Sequence, residues 1–297
     1  MSDNDSGSPA ERFERRRGRL TAIAFRMLGA SGEAEDAVQE TWMRLSRTDI
    51  GEIRNLDGWL TTALSRICLD GLRARQVKQE YPLGSFVPEA LPNASIGGPE
   101  DRAVLTEDME RAVLVLMHRL HPAERVAFVL HDMFEVPFYE IAEILDRSPN
   151  AARLLASKAR HRVVGETDAL RPDTLREHRI VRAFLAAVRA ADIEAVVRVL
   201  AADITVSADA AAAPGSVAIT AEGTRIVARL AAGFAQRVDF AAVVLVDGRP
   251  GALVAPAGQA PTVLAFTIEG EQITRVDVIA EPETLARLAL TVPDFSV

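Results

Sequence analysis

The chain has a single cysteine, Cys68, so neither an intrachain disulfide nor a cysteine-built zinc site is open to it. Cys68 lies between Ile67 and Leu69, the setting of a buried thiol rather than a reactive one. No apolar run approaches the roughly 20 residues that cross a bilayer. The opening stretch, MSDNDSGSPAERFERRRGRL, lacks the apolar segment of a secretory signal. A cytoplasmic protein with no membrane partner is expected. Positive charge is also in deficit: 34 Lys and Arg face 42 Asp and Glu, a net charge of -8. Such a chain does not coat nucleic acid indiscriminately, so any DNA binding has to be local or assisted by a partner.

Against that acidic background, the segment from 147 to 162 carries five Arg or Lys and no acid. Within it, Ser148 can cap a helix and Pro149 fits a first helical turn. At helical spacing Ala152, Leu155, Ala156, Ala159 and Val163 share one face. Asn150, Leu154, Ser157 and His161 share the opposite one, flanked by Arg153, Lys158 and Arg160. Just upstream, 137–145 turns Phe138, Ile141, Ile144 and Leu145 inward, and small Ala142 permits close approach. Two helices joined by a short Asp146-Arg147 turn match a helix-turn-helix, whose second helix enters the major groove. A solvated basic helix in a plain helical hairpin gives the same pattern, so this segment alone leaves both readings open.

Three helices are expected before it, near 11–28, 33–45 and 56–75. Between 76 and 100 the chain is rich in proline and glycine and reads as a linker. In the second helix Ala34, Ala37, Val38, Thr41, Trp42 and Leu45 form the apolar face; Asp36, Gln39, Glu40 and Met43 form the other. From about 172 the composition shifts to helices near 173–190 and 192–201, then strands near 204–207, 216–220, 238–246, 251–255, 261–268 and 272–280. A helical stretch near 223–235 interrupts them. Asp247-Gly248 and Glu269-Gly270 mark hairpin turns, and a compact α+β domain built on antiparallel strands follows.

The run Ala-Glu-Asp-Ala-Val-Gln-Glu-Thr-Trp-Met-Arg-Leu (34–45) resembles the core-polymerase docking helix of bacterial sigma factors. Leu56-Asp57-Gly58-Trp59-Leu60, leading to Arg66-Ile67-Cys68-Leu69-Asp70-Gly71-Leu72-Arg73, resembles the family's −10-binding helix, and 120–164 resembles its −35-reading domain. The order matches extracytoplasmic-function (ECF) sigma factors. Residues 175–288 resemble the SnoaL-like extension of one group of them, the SigJ type. Val87-Pro88-Glu89-Ala90 stands where that group has a Leu-Pro-Glu-Pro-like motif. Glu281-Pro282-Glu283-Thr284-Leu285 replaces an Asn-Pro-Asp-Lys-Leu-like one, the Asn and Lys being absent.

The resemblance implies a multidomain chain: two all-α sigma domains, a helical bundle and a helix-turn-helix, then an α+β SnoaL-like/NTF2-like cone. The boundaries are 11–78 for region 2, 79–100 for the linker, 101–167 for region 4 and 173–290 for the cone. It implies core RNA polymerase binding through Asp36, Gln39, Glu40 and Met43, and −10 contacts through Trp59, Arg66, Asp70, Arg73 and Arg75. It implies −35 contacts through Asn150, Arg153, Leu154, Ser157, Lys158 and His161, and regulation through Pro88, Glu89, Pro282, Glu283 and Leu285. The expected partners are core RNA polymerase and promoter DNA, with a small ligand in the C-terminal domain left as an open alternative. The free protein is expected to be a monomer, with no cofactor, metal or catalysis expected. A stand-alone helix-turn-helix regulator would leave the acidic face of 36–43 unexplained. An enzyme in the last domain would need an acid–base pair, yet no histidine follows Ala191, and Asp209, Asp239 and Asp277 are isolated carboxylates.

Overall fold

The computed structural model describes residues 8–78, 107–164, 172–213, 215–256 and 259–293, which divide between two compact units. The 79–100 linker, with Pro88 and Glu89, lies outside the described residues.

Of the described residues, the first unit comprises 8–78 and 120–160. It is built on α1 (Pro9–Leu28), α2 (Ser31–Leu45) and α3 (Leu56–Lys78), all packed on one another. Helix α1 begins in a reciprocal cap: the Ser8 hydroxyl accepts from Glu11 N, and the Glu11 carboxylate accepts from Ser8 N. Phe13, Leu20, Ile23, Phe25 and Met27 are buried on α1, as are Val38 and Leu45 on α2 and Leu60 and Leu64 on α3. Arg16 Nε donates to Asp57 Oδ1 at 2.7 Å and Nη2 to Oδ2 at 3.1 Å, fastening α1 to the start of α3. Those bonds hold the Asp57 carboxyl below its ordinary pKa.

Against this bundle lie α5 (Pro122–Phe128), a π-helical turn (Val129–Met133) and α6 (Phe138–Leu145). Arg125 is buried, and its Nη1 donates to the Met27 carbonyl at 2.9 Å. Burial, reinforced by Arg75, lowers its pKa to about 9. α7 (Pro149–Val164) follows a left-handed Asp146 at φ 55°.

The second unit takes in residues 107–119 and the described residues from 161 onward. Its helices are α4 (Glu107–Met117), α8 (Pro172–Arg189), α9 (Ile193–Val199), α10 (Thr224–Gly233), α11 (Ala235–Val238) and α12 (Pro282–Arg287). Its strands are β1 (Leu200–Ala208), β2 (Ile219–Glu222), β3 (Ala241–Val246), β4 (Arg249–Val254), β5 (Thr262–Glu269), β6 (Gln272–Ile279) and β7 (Leu290–Thr291). They form one sheet in the order β2-β1-β6-β5-β4-β3-β7. The expected antiparallel set needs one correction: β1 and β6 pair in parallel, because the chain crosses over between them, and a register shift separates Leu200 from Thr205.

Two boundaries also move. The expected strand at 238–246 starts only at Ala241, since Ala235–Val238 coils into α11; the expected 216–220 strand is β2. Arg189 fixes that coil, its Nε donating to Val238 O at 3.0 Å and its Nη2 to Ala241 O at 2.5 Å. The β3–β4 hairpin turns at Asp247-Gly248 with φ of 50° and 81°, as a two-residue type I′ loop requires. Gly251 is fixed by space: a Cβ there would sit 2.5 Å from Val246 Cγ2 and 2.7 Å from Leu264 O.

Every residue of β3 is buried, and both α8 and α4 pack on this strand. Cover on both faces explains a continuous run, Ala-Ala-Val-Val-Leu-Val, in place of alternation. Phe184, Val188, Val227, Val254 and Phe266 are central in the core of this unit.

Candidate nucleic-acid and polymerase interfaces

The reading helix is set by its ends and by its small residues. Ser148 Oγ accepts from Ala151 N at 3.2 Å, a cap worth about 1 kcal/mol. Ala152, Ala156, Ala159 and Val163 are buried, so α7 lies close to its support. Near its end Arg160 pairs with Asp132 of the π-helical turn. Burial raises the Asp132 pKa more than that guanidinium lowers it. Asn150, Arg153, Leu154, Ser157, Lys158 and His161 are all exposed on α7. Leu154 is 57% exposed, an apolar group that folding alone gives no reason to leave in water. Arg153 lies 5.2 Å from the Phe138 ring centroid and 3.4 Å from Asn150 Oδ1. The sequence reading missed Tyr139, 61% exposed on the first turn of α6; its helical phase, off the Phe138–Ile141 face, was the available signal.

On α2, Asp36, Gln39 and Met43 are exposed and Glu40 is half-buried, bridged to Arg44 at 3.1 Å. The opposite face is buried at Ala34, Ala37, Val38, Thr41 and Leu45, with Trp42 against Phe13 at 5.1 Å between centroids. On α3, Trp59 is half-buried near the start, while Arg66, Asp70 and Arg73 are exposed. Their engagements differ. Arg66 Nη2 donates to Glu143 O of α6 at 2.9 Å, and Arg73 is 3.7 Å from Asp70. Arg75 is turned inward: Nη1 donates to Leu28 O at 3.1 Å and Nη2 meets Glu33 at 3.0 Å.

Of the terminal motif, Pro282 opens α12 and Leu285 is buried. Asp209, isolated in the sequence, organises this start: its Oδ2 accepts from Ala280 N and Glu281 N, and its Oδ1 from Ala212 N, all at 2.8 Å. Asp277 pairs with Arg275 at 2.7 Å. At the far end of α12, Arg119 Nη2 reaches the carbonyls of Leu285, Ala286 and Leu288 at 3.4, 3.3 and 2.6 Å. Val292 N donates to Val163 O, the end of α7, at 2.6 Å. Among the described residues no group of three or more His, Cys, Asp or Glu is placed to hold a metal, and no helix is long and apolar enough to cross a membrane.

Family models for Sigma-70 region 2 and Sigma-70 region 4 match residues 12–77 and 110–163. The ECF RNA polymerase sigma factor SigJ of Mycobacterium tuberculosis is 35% identical over 285 residues, 91% of each chain. The chain belongs to the ECF RNA polymerase sigma factors. A probable ECF sigma factor of the same organism, SigI, is 33% identical over 290 residues, 96% of this chain and 97% of its own. The crystal structure of M. tuberculosis SigJ aligns at 32% identity over 93% of this chain and 98% of that one, with a TM-score of 0.46. In this sigma factor the region 2 match takes in α2 and all but the last residue of α3, and the region 4 match takes in α5, α6 and all but the last residue of α7. The similarity to SigJ and SigI extends through the α+β domain as well.

Proposed function

We propose that this sigma factor binds core RNA polymerase through Asp36, Gln39, Glu40 and Met43 of α2 and reads promoter DNA with α3 and α7. The observation that carries this reading is the outward face of α7. Six polar, basic or apolar side chains stand exposed over a base of buried alanines, on a short helix in an acidic protein. Arg153 and Lys158 suit phosphates or guanine edges; Leu154 and Ser157 lie where base edges pass. Tyr139 and the first turn of α6 meet the DNA backbone, as the first helix of such motifs does. Trp59, Asp70, Arg66 and Arg73 serve the melted −10 strand, where stacking and edge contacts act on unpaired bases. Arg75, tied to Leu28 and Glu33, holds the bundle in place of a phosphate. Each half binds weakly alone, and polymerase tethers both.

The C-terminal domain acts in cis on this machinery. Supporting this are the Arg119 fork on the end of α12 and the Val292–Val163 bond, because both tie the domain to segments bordering the −35 reader. Run-off transcription with purified core polymerase tests the whole proposal. The full chain should direct initiation from a promoter library. Asp36→Lys with Glu40→Lys should cut core affinity roughly tenfold or more while leaving α2 folded. Truncation before Pro172 should change activity or promoter choice. Unchanged core affinity would reject the α2 face, and a truncation indistinguishable from the full chain would reject regulation in cis.

A further inference from the structure

The α+β domain holds a partly open apolar cavity of about 80 Å³ between α8, α10, α11 and the sheet. Phe184, Val227, Phe234, Leu264 and Val276 furnish most of its wall. Two polar side chains interrupt that wall, Arg237 and Thr262. Arg237 Nη2 donates to the Thr262 hydroxyl at 3.4 Å, and its guanidinium carbon sits 6.0 Å from the Phe234 ring centroid. Its Nε is buried and has no hydrogen-bond partner. No carboxylate among the described residues pairs with it. Arg237 is half-buried, but its inaccessible Nε is an idle donor at an apolar wall, which leaves one hydrogen bond uncompensated. The backbone that carries it is held by Arg189 on both Val238 O and Ala241 O.

We infer that this cavity binds a short-chain monocarboxylate, its carboxylate against Arg237 and Thr262 and its hydrocarbon tail among the valines and phenylalanines. A carboxylate is planar and two-pronged, so it can accept from Nε and an Nη together, which supplies the missing partner. Size sets the tail. A dry cavity of roughly 150 Å³ admits a benzene ring, so about half that volume admits a tail of roughly four carbons, straight or branched. Thr262 stays bonded by turning its hydroxyl proton toward the second oxygen.

The probe is 3-methylbutanoate, titrated by calorimetry into the full chain at pH 7, with 3-methylbutan-1-ol as the uncharged match and phenylacetate as the oversized one. The short acid should bind in the micromolar to low-millimolar range and raise the melting temperature. The alcohol should bind at least tenfold more weakly. Arg237→Met should remove that preference, leaving acid and alcohol alike, while Ala231→Leu, which fills the cavity from α10, should abolish both. Thr262→Val gives a second reading at the same carboxylate, with a smaller loss expected. A wild-type chain that ignores the acid, or an Arg237→Met chain that keeps its preference for acid over alcohol, overturns the inference. Phenylacetate binding more tightly than 3-methylbutanoate overturns the assigned size. Since the readout is binding to the free chain, these results stand apart from the transcription assay.

Discussion

Helices α3 and α7 both carry basic side chains assigned to DNA, yet they hold them differently. On α7 the contacts of Arg153 stay local, to Asn150 one turn back and to the Phe138 ring of the preceding helix. On α3 the arginines reach outward to other elements: Arg66 to Glu143 O of α6, and Arg75 to Leu28 O and Glu33. The outward face of α7 around Arg153 is a surface supported from behind by alanines, with a tie to a neighbour only near its end, at Arg160. Helix α3 ties neighbours through Arg66 and Arg75, while its Arg73 stays local to Asp70. Substitution should therefore separate recognition from folding on α7 and mix the two on α3.

The largest effect is expected where a cation is turned fully inward. Arg125→Ala orphans the Met27 carbonyl and empties a buried site, and should cost about 2–3 kcal/mol in urea unfolding. A loss under about 0.5 kcal/mol would break the comparison at its inward extreme. At the outward extreme, Arg153→Ala and Lys158→Ala should each weaken −35 binding in the holoenzyme by about 1–3 kcal/mol where the contact is to a base. Their melting temperatures should match the parent; a matched loss of stability would show that α7 is not the separable surface described.

Acidity distinguishes the two units next. His178 of α8 has its pKa lowered to about 4 by burial, with Arg182 adding to the effect. A histidine depressed in the folded state supports folding fully above its unfolded value of 6.5, and that support fades as pH falls toward 4. Asp57, held low by Arg16, keeps its contribution until pH drops below 3.8. Acid should thus loosen the α+β unit first. Its melting should fall by a few degrees between pH 7 and pH 5, and His178→Gln should flatten that slope. The smallest change is expected for Arg66→Ala: under about 1 kcal/mol of stability, with the salt slope of promoter binding reduced by about one.

What could be read without coordinates was local. The α7 cap at Ser148, its alanine face and the Asp247-Gly248 turn each depend on residues within a few positions, and each is found in place. What escaped depends on distant partners. The six residues of α12 and the two of β7 are too short to carry a periodic signal; Asp209 starts that segment and Arg119 closes it, from about seventy and about 170 positions away. The parallel β1–β6 pairing escaped for the same reason, since a strand's own pattern does not name its neighbour. At the candidate site the exposed set on α7 followed from phase alone. The inward turn of Arg75 did not, because its acceptors, Leu28 O and Glu33, belong to two other helices, α1 and α2.

The Arg119 fork also places this molecule in time. Its shortest bond joins residues 169 positions apart, so the carbonyl that receives the guanidinium is made long after the arginine. At about 5–20 residues per second, that interval is roughly 8–34 s. During it α4 has no β3 to rest on, and Val163 has no Val292 to meet. Every newly made copy therefore passes through a stage in which both sigma regions exist and the latch does not, an interval in which nascent chains and finished ones are different proteins to whatever they encounter.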